Sequence, residues 1–294
     1  EAICALGATP VLVNLDSSFH LNPKLIESKI TVKTKVVVSV PMWASPDMSA
    51  LADVCEKNSI ILIEDAAQSL GAEFKGKKLG TFGQLGSFSF DAGKTLHVGE
   101  GGMVITDDKE LYNKVAEFSD HGHMHLEGLP RGKDPRRMPG LNYRMSELTA
   151  AVGLAQLKKI DYILSETTKH KYVLKDMLKD LPGLEMRSFH DESGAQGDTL
   201  IFSLKTNALA IELEKKLMTA GFGTKILPEA IDWHFAGVWN HVFTNKSLEE
   251  LEEEFRSSGD LLRRSICLNI PVKLTSSSIE KIAQVIREFK PISV

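Results

Sequence analysis

The chain has 294 residues, of which 43% are hydrophobic and 25% charged, values typical of a globular protein that buries a core. At roughly 150 residues per average domain, its length suggests about two domains. The 35 basic and 39 acidic residues give a net charge of −4, which argues against duplex nucleic acid as a partner. No uncharged apolar run reaches the roughly 20 residues of a membrane span, so no membrane partner is expected.

Apolar runs alternate with helical patterns in the first part of the chain. Residues 11–15, 35–40 and 60–63 have the composition of buried strands. Helical patterns over 23–30 and 49–57 lie between them. This alternation predicts an α/β domain with a largely parallel sheet.

Shorter elements follow, and then a second group of helices and strands. Residues 120–141 form a long loop without apolar periodicity, and a loop of that length is usually functional. Ser146 is predicted to cap the helix that follows the loop. We expect a large domain over 1–155 and a linker helix with a smaller α+β domain over 156–294. The remaining predicted elements are strands 87–90, 103–106, 199–204 and 222–226, and helices 110–118, 208–220, 248–264 and 277–289.

Three cysteines, Cys4, Cys55 and Cys267, are far apart and lack metal-ligand spacing. This pattern argues for buried thiols in a reducing compartment rather than for a disulfide framework. A cytoplasmic location is therefore expected.

Two residues near strand ends could carry chemistry. Asp65 ends an apolar strand, where ligands of open α/β sheets bind, although a lone Asp there is more often a helix cap. Lys94 follows a short strand in a glycine-flanked loop, and Gly93-Lys94-Thr95 suggests a phosphate loop. A phosphate loop needs glycine five residues before its Gly-Lys pair, and that position is Phe88. No dinucleotide glycine pattern follows an early strand either.

A pyridoxal 5'-phosphate site fits both residues, since it needs a lysine for the Schiff base and a carboxylate for the pyridine nitrogen. Further motifs surround these residues: Asp65-Ala-Ala-Gln68, Gly80, Gly86, Ser87-Phe-Ser89-Phe90, Lys94, Gly99-Glu-Gly-Gly102 and Asn142-Tyr-Arg144-Met-Ser-Glu147. In these motifs the chain resembles the DegT/DnrJ/EryC1/StrS family of pyridoxal phosphate-dependent sugar aminotransferases.

The resemblance implies a role for each matching residue. Lys94 would form the Schiff base and act as general acid and base, and Asp65 would pair with the pyridine nitrogen. Gln68 would lie against the ring, and Ser89 would hydrogen-bond the cofactor phosphate. Asn142 would reach the phosphate of a partner subunit, which implies a homodimer.

The resemblance also implies an α/β fold of the aspartate aminotransferase type (fold type I). Such a fold has a mixed, mainly parallel sheet with helices on both faces, and a smaller α+β C-terminal domain. Relatives carry a Gly-Thr turn and a ring-stacking aromatic before the point that matches Glu1, so the N-terminal portion of the fold is expected to be missing. The cofactor domain would cover residues 1–155.

Substrate residues are predicted from weaker signals. Trp43 stands where the family often has an aromatic before glycine, and His97 lies close to Lys94. Lys225 and His234 belong to a segment, 223–241, that is similar to enzymes aminating carbon 8 of a 3-deoxy-octulosonate. Arg131, Arg136 and Arg137 could meet a carboxylate. Residues His121, His123 and His125 alternate, but we expect substrate-loop histidines there and no metal.

The function implied is transfer of an amino group from L-glutamate, giving 2-oxoglutarate, to a keto-sugar. The first expectation is an oxidised 3-deoxy-octulosonate, giving 8-amino-3,8-dideoxy-octulosonate for lipopolysaccharide. The alternatives are a nucleotide-linked 4-keto-6-deoxyhexose, as in a perosamine synthase, or a non-catalytic relative. A sugar dehydratase is a further alternative, but Lys94 counts against it because such enzymes carry histidine at that position.

Overall fold

A computed structural model describes residues 1–228 and 230–289. Its contacts group the chain into two compact units, Thr34–Asp161 and Glu1–Lys33 with Tyr162–Val294. This grouping differs from the predicted division at residue 155, because the first residues pack with the C-terminal part. There the Asn14 amide donates to the Glu254 carbonyl at 3.0 Å, and the Leu15 N–H donates to Ser258 Oγ at 2.9 Å.

The helices and strands follow one another in this order: α1 (Ala2–Ala5), α2 (Pro23–Ile26), β1 (Val36–Ser39), α3 (Met48–Lys57), β2 (Ile61–Asp65), β3 (Glu73–Phe74), β4 (Lys77–Lys78), β5 (Leu85–Ser89), β6 (Gly102–Ile105), α4 (Lys109–Ser119), α5 (Glu147–Leu157), α6 (Ile160–Leu178), β7 (Glu185–Met186), β8 (Thr199–Ser203), α7 (Asn207–Thr219), α8 (Ile231–His234), α9 (Leu248–Glu254), α10 (Arg256–Arg263), β9 (Ser265–Asn269) and α11 (Ser276–Arg287). Short 3-10 turns cover Glu27–Lys29, Arg131–Lys133 and Ala236–Val238.

The unit Thr34–Asp161 is built on a four-stranded sheet in the order β1-β2-β5-β6. Strands β1, β2 and β5 run parallel, and β6 pairs antiparallel with β5 at the edge. The strands predicted at 35–40, 60–63, 87–90 and 103–106 are confirmed, and so is the mainly parallel sheet. Helix α3 packs its buried residues Met48, Leu51 and Cys55 inward, and the Asp47 carboxylate caps it by accepting from the Ala50 N–H at 3.1 Å.

A fully buried carboxylate, Glu64, holds the turn that leads into β5. It accepts hydrogen bonds from the N–H groups of Gly80 at 2.7 Å, Phe82 at 2.5 Å and Gly83 at 2.9 Å. Glycine is required at 86, because a Cβ there would lie 2.0 Å from the Gly80 carbonyl oxygen. The glycines of this motif therefore let the turn close tightly against the sheet.

The other unit contains an antiparallel sheet in the order β7-β8-β9. Strand β8 is buried throughout because helices α6, α7 and α11 contribute to the same apolar cluster. The largest fully buried side chains of that cluster are Phe202, Phe289, Leu174, Leu178, Leu204, Leu213 and Leu217.

Two predicted strands are wrong. Residues 11–15 make only an isolated bridge at Leu15, since the Leu15 N–H bonds a serine hydroxyl instead of a neighbouring strand. Residues 222–226 pair with β9 only at Thr224, because Ile226 adopts a φ of 73° that ends the extended path.

The predicted helix 248–264 is two helices, α9 and α10, separated at Phe255. Strand β9 and the β3–β4 hairpin were not expected, because neither has a distinctive period in the sequence. Glu229, within the predicted substrate segment 223–241, lies outside the described residues, as do 290–294.

The cysteines form no disulfide; Cys55 and Cys267 are buried as expected, whereas Cys4 is exposed. Burial raises the pKa of the Cys267 thiol to about 12. Within the described part of the chain, no helix has the length and apolar character needed to cross a membrane.

Candidate active site

The carboxyl ends of three parallel strands bring most of the predicted cofactor residues to one edge of the sheet. Asp65 is the last residue of β2, and Ser89 is the last residue of β5. Trp43 follows β1 and is almost fully buried. The loops after β1 and β2 are tied together, since Met42 forms a bridge with Gln68 and the Trp43 N–H donates to the Gln68 carbonyl at 3.2 Å.

The pleat of β2 separates two adjacent carboxylates. Asp65 is in register with Ser87, whereas Glu64 is in register with Gly86. Because side chains alternate along a strand, Asp65 shares a face with Ser87 and Ser89, and Glu64 points to the opposite face. Glu64 therefore positions the turn at 80–83. Asp65 Oδ1 accepts from the Ala67 N–H at 3.2 Å, and this carboxylate lies on the face that carries Ser87 and Ser89. The role of Glu64 was not predicted, although the sequence shows a carboxylate directly before Asp65 and a Gly-x-x-Gly pattern at 80–83.

Lys94 lies in a compact turn that begins at the end of β5. The Asp91 N–H donates to Ser89 Oγ at 3.4 Å, and the Asp91 carbonyl accepts from the Lys94 N–H at 3.0 Å. The Asp91 side chain also accepts from the Gly93 N–H at 2.9 Å. Lys94 is half-buried, and His97 beyond it is exposed.

Asn142 belongs to the loop that follows α4. It forms a bridge with Asp120, and its Oδ1 accepts from Arg144 Nε at 3.0 Å. Asn142 is exposed, unlike the half-buried Asp65 and Lys94. Its predicted role at a partner's phosphate stays a prediction.

Asp120, at the start of the same loop, is surrounded by cationic side chains. Its buried carboxylate binds Arg131 through two hydrogen bonds of 2.7 and 2.5 Å, and lies 3.3 Å from Arg144 and 3.6 Å from His125. The Arg131 hydrogen bonds above all, with the charges of Arg144 and His125, lower the pKa of Asp120 to about 2. The ion pair between Asp120 and Arg144 thus joins the start of the loop to its end.

The alternating histidines do not lie along a strand. His121 and His125 have φ values of 56° and 54°, so the extended geometry that would align their side chains is absent from this segment. His123 is buried with its Nδ1 3.3 Å from Asp134 Oδ2. Across residues 1–228 and 230–289, no group of three His, Cys, Asp or Glu side chains could hold a metal ion.

Lys225 and His234, predicted as substrate residues, belong to the other unit. Lys225 Nζ lies 3.6 Å from Asp198 Oδ2. His234 ends helix α8 beside Trp233, whose side chain is exposed. Neither shares a unit with Lys94.

The side chains at the sheet edge fit pyridoxal phosphate by their chemistry. Asp65 supplies a carboxylate for the pyridine nitrogen, Lys94 a primary amine, and Ser89 a hydroxyl for a phosphate oxygen. Each lies on, or in the turn directly after, a strand of the parallel part of the sheet. These residues would hold the cofactor.

Comparison with known proteins identifies the family. The model of the DegT/DnrJ/EryC1/StrS aminotransferase family matches residues 1–287. The chain belongs to this family. Pyridoxal 5'-phosphate is the cofactor that membership of the DegT/DnrJ/EryC1/StrS family assigns to it, and the family resemblance predicted from the motifs is confirmed.

Individual relatives include a curated bacterial protein of known name. It is 37% identical to the GDP-perosamine synthase of Escherichia coli O157:H7 over 62% of this chain and 49% of that protein. The chain thus spans about half the length of this relative.

Solved structures show fold type I. PseC of Helicobacter pylori, an aminotransferase involved in the biosynthesis of pseudoaminic acid, has a TM-score of 0.85 at 23% identity over 98% of this chain and 75% of that chain. The E. coli GDP-4-keto-6-deoxy-D-mannose-3-dehydratase with bound hydrated PLP has a TM-score of 0.79 at 21% identity, covering 96% and 75%. The fold predicted for this DegT/DnrJ/EryC1/StrS chain is therefore confirmed.

Proposed function

We propose that the protein is a pyridoxal phosphate-dependent aminotransferase that moves an amino group from L-glutamate to a keto-sugar. The observation that carries the proposal is the placement of Asp65, Ser89 and Lys94 at one sheet edge of a chain whose family model covers residues 1–287. When bound, the cofactor supplies an electron sink for the carbon that gains or loses the amino group.

Each residue at the edge has a separate task in the proposal. Asp65 keeps a proton on the pyridine nitrogen by pairing its charge, and Ser89 and Gln68 orient the ring and phosphate. The Lys94 amine moves a proton to and from the reacting carbon as general base and acid. The turn fastened by Asp91 positions the backbone of Lys94 for that task.

Two sugar classes remain as proposed substrates. A nucleotide-linked 4-keto-6-deoxyhexose is supported by the similarity to a GDP-perosamine synthase. An oxidised 3-deoxy-octulosonate is supported by the sequence of segment 223–241. In either case Trp43, His97, Lys225 and His234 stay candidate substrate residues.

We also propose that the protein acts as a homodimer. Helix α5 has no buried residue although it is rich in apolar side chains, and Leu148 and Leu154 are 83% and 65% exposed. Apolar surface of this kind usually lies against another chain.

Spectroscopy of the purified, pyridoxal phosphate-loaded protein tests the function. L-Glutamate is expected to abolish the visible absorption band and release 2-oxoglutarate, and an accepted keto-sugar is expected to restore the band. A panel of GDP-4-keto-6-deoxymannose and an oxidised octulosonate separates the substrate classes. A stable band in the presence of glutamate would refute the aminotransferase, and elimination without amino transfer would identify a dehydratase.

A further inference from the structure

The loop between α4 and α5 lines a cavity of about 520 Å³ that is open to solvent, within the unit Thr34–Asp161. Its walls are His123, Arg131, Gly132, Asp134 and Arg136. The loop is internally bonded here, because His123 and Arg136 form a bridge and the Met124 N–H donates to the Pro135 carbonyl at 3.1 Å. The cavity is therefore part of a folded loop.

Acidic groups beside the cavity are already engaged. The Asp134 carboxylate accepts from the N–H groups of His125 at 2.9 Å and Leu126 at 3.0 Å, and it lies against His123. These hydrogen bonds, with the Leu126 bond foremost, lower the pKa of Asp134. Asp120 is neutralised by Arg131 and Arg144, so it does not repel an anion from this loop.

The arginines of the loop differ in their partners. Arg137 forms two hydrogen bonds with the buried carboxylate of Glu117, at 2.7 and 3.1 Å. In the part of the chain that the structure describes, no carboxylate pairs with Arg136, whose side chain lines the cavity. An exposed guanidinium on a cavity wall, with its charge not offset, attracts an anion.

Arg131 lies on the same cavity wall and is held in place. Its two terminal nitrogens each donate one hydrogen bond to Asp120, and a guanidinium has five N–H groups. The remaining donors are thus presented from a fixed position, which lowers the entropy cost of binding an anion. Arg131 and Arg136 line the same cavity, and each guanidinium has the planar fork of donors that suits phosphate or carboxylate oxygens.

We infer that this cavity binds the anionic group of the keto-sugar, through Arg136 and the Arg131 that Asp120 positions. The chemistry recognised is a planar or tetrahedral oxyanion, either the diphosphate of a nucleotide-linked sugar or the carboxylate of a sugar acid. The assignment to the sugar substrate rests on the proposed function. The anion site itself rests on the loop alone.

Isothermal titration of the purified protein with guanosine 5'-diphosphate and, separately, with gluconate tests the site. The wild type is expected to bind one of them saturably, and NaCl is expected to weaken that binding. Arg136→Ala is expected to weaken it about tenfold or more, as loss of a charge-assisted hydrogen bond does. Diphosphate binding alone identifies a nucleotide-linked sugar, and gluconate binding alone identifies a sugar acid.

Lys133→Ala is the matched control, because it removes a positive charge from the same loop without lining the cavity. It is expected to bind the anion within about twofold of the wild type, because salt screens the charge of an exposed side chain. The site is refuted if neither anion binds, or if Arg136→Ala and Lys133→Ala bind equally well.

The response of the wild type to glutamate separates the two proposals. A wild type that converts glutamate while Arg136→Ala binds anions normally would refute only the anion site. Anion binding that depends on Arg136 in a wild type unresponsive to glutamate would refute only the proposed function.

Discussion

Arg131 donates two hydrogen bonds to the carboxylate of Asp120, at 2.7 and 2.5 Å. Both residues belong to the loop between α4 and α5, which has hardly any regular secondary structure. The carboxylate is buried and the guanidinium half-exposed. This pair fixes the start of the loop against the turn at Arg131–Lys133. It gives a segment without apolar periodicity a defined shape.

Asp120→Asn is expected to lower the free energy of unfolding by about 1–3 kcal/mol, because Arg131 and Arg144 lose the negative charge that both of them contact. Since the folded pKa of Asp120 is lowered to about 2, its stabilisation is complete above the ordinary carboxyl pKa and is lost as the pH falls towards 2. Urea unfolding should therefore show the same deficit at pH 7 and pH 5, and a smaller one below about pH 4.

The control for this variant is Glu110→Gln, which removes an exposed pair with Lys114 on α4. Such a pair contributes less than about 0.5 kcal/mol. Equal deficits in the two variants would show that the Asp120 pair does not hold the loop.

Glu64→Gln tests the carboxylate that closes the turn at 80–83. The amide has one acceptor oxygen in place of two, so an N–H of Gly80, Phe82 or Gly83 loses its partner in a buried site, at a cost of about 1–3 kcal/mol. Urea midpoints followed by circular dichroism measure the effect. Glu73→Gln, at the Lys78 ion pair of the β3–β4 hairpin, should change the midpoint far less, and a comparable change would contradict the clamp.

Lys94→Ala tests the proposed catalytic lysine. Without its amine we expect borohydride to fix no cofactor to the protein and kcat to fall by about 10³-fold or more. Mass spectrometry of the reduced wild type should place the cofactor on the peptide that contains Lys94. Lys114→Ala, which removes an exposed helix lysine, should leave both results unchanged, and labelling of Lys94→Ala to the wild-type extent would exclude Lys94.

Lys171 is a buried amine in the unit that contains β8, and its Nζ donates to the Gln196 carbonyl at 2.6 Å. Burial above all, with the nearby charge of Arg187, lowers its pKa to about 8. Because the fold disfavours the protonated amine, the wild type should gain stability as the pH rises from about 8 to the ordinary value of 10.5, by up to about 3 kcal/mol.

Lys171→Met should remove this part of the pH dependence, as measured by urea midpoints between pH 7.5 and 10. Lys169→Met, on the same helix but exposed, should keep the wild-type slope. Identical slopes in all three proteins would mean that Lys171 does not titrate in this range.

Leu148→Glu with Val152→Glu tests the proposed dimer. These exposed residues lie one turn apart on α5, so two carboxylates there would have to be buried in an interface. Light scattering after gel filtration should show a dimer for the wild type and a monomer for the double variant. Val32→Glu, at a position 93% exposed in the other unit, should leave the mass unchanged, and a dimeric double variant would remove α5 from the interface.

The sequence by itself identified the family and predicted which residues would hold the cofactor. Asp65, Ser89 and Lys94 each lie at or just after the end of a strand whose apolar run is visible locally, so their grouping follows from the rule that parallel strands end at one edge. The Ser146 cap was likewise readable, and its Oγ accepts from the Thr149 N–H at 3.1 Å. Local hydrogen bonds and periodic burial act over a few residues, which is why short patterns reveal them.

Only the tertiary structure decided which arginines of the loop form ion pairs with a carboxylate and which line the cavity. Asp120 pairs with Arg131, and Glu117 pairs with Arg137. Arg136, which lies between these two arginines in the sequence, lines the cavity. Likewise Leu15 bonds Ser258 instead of a strand, and Arg187 is buried with its Nε donating to the Ser18 carbonyl at 2.8 Å. These partners are distant in sequence or lie in a loop without a period, and packing alone brings them together.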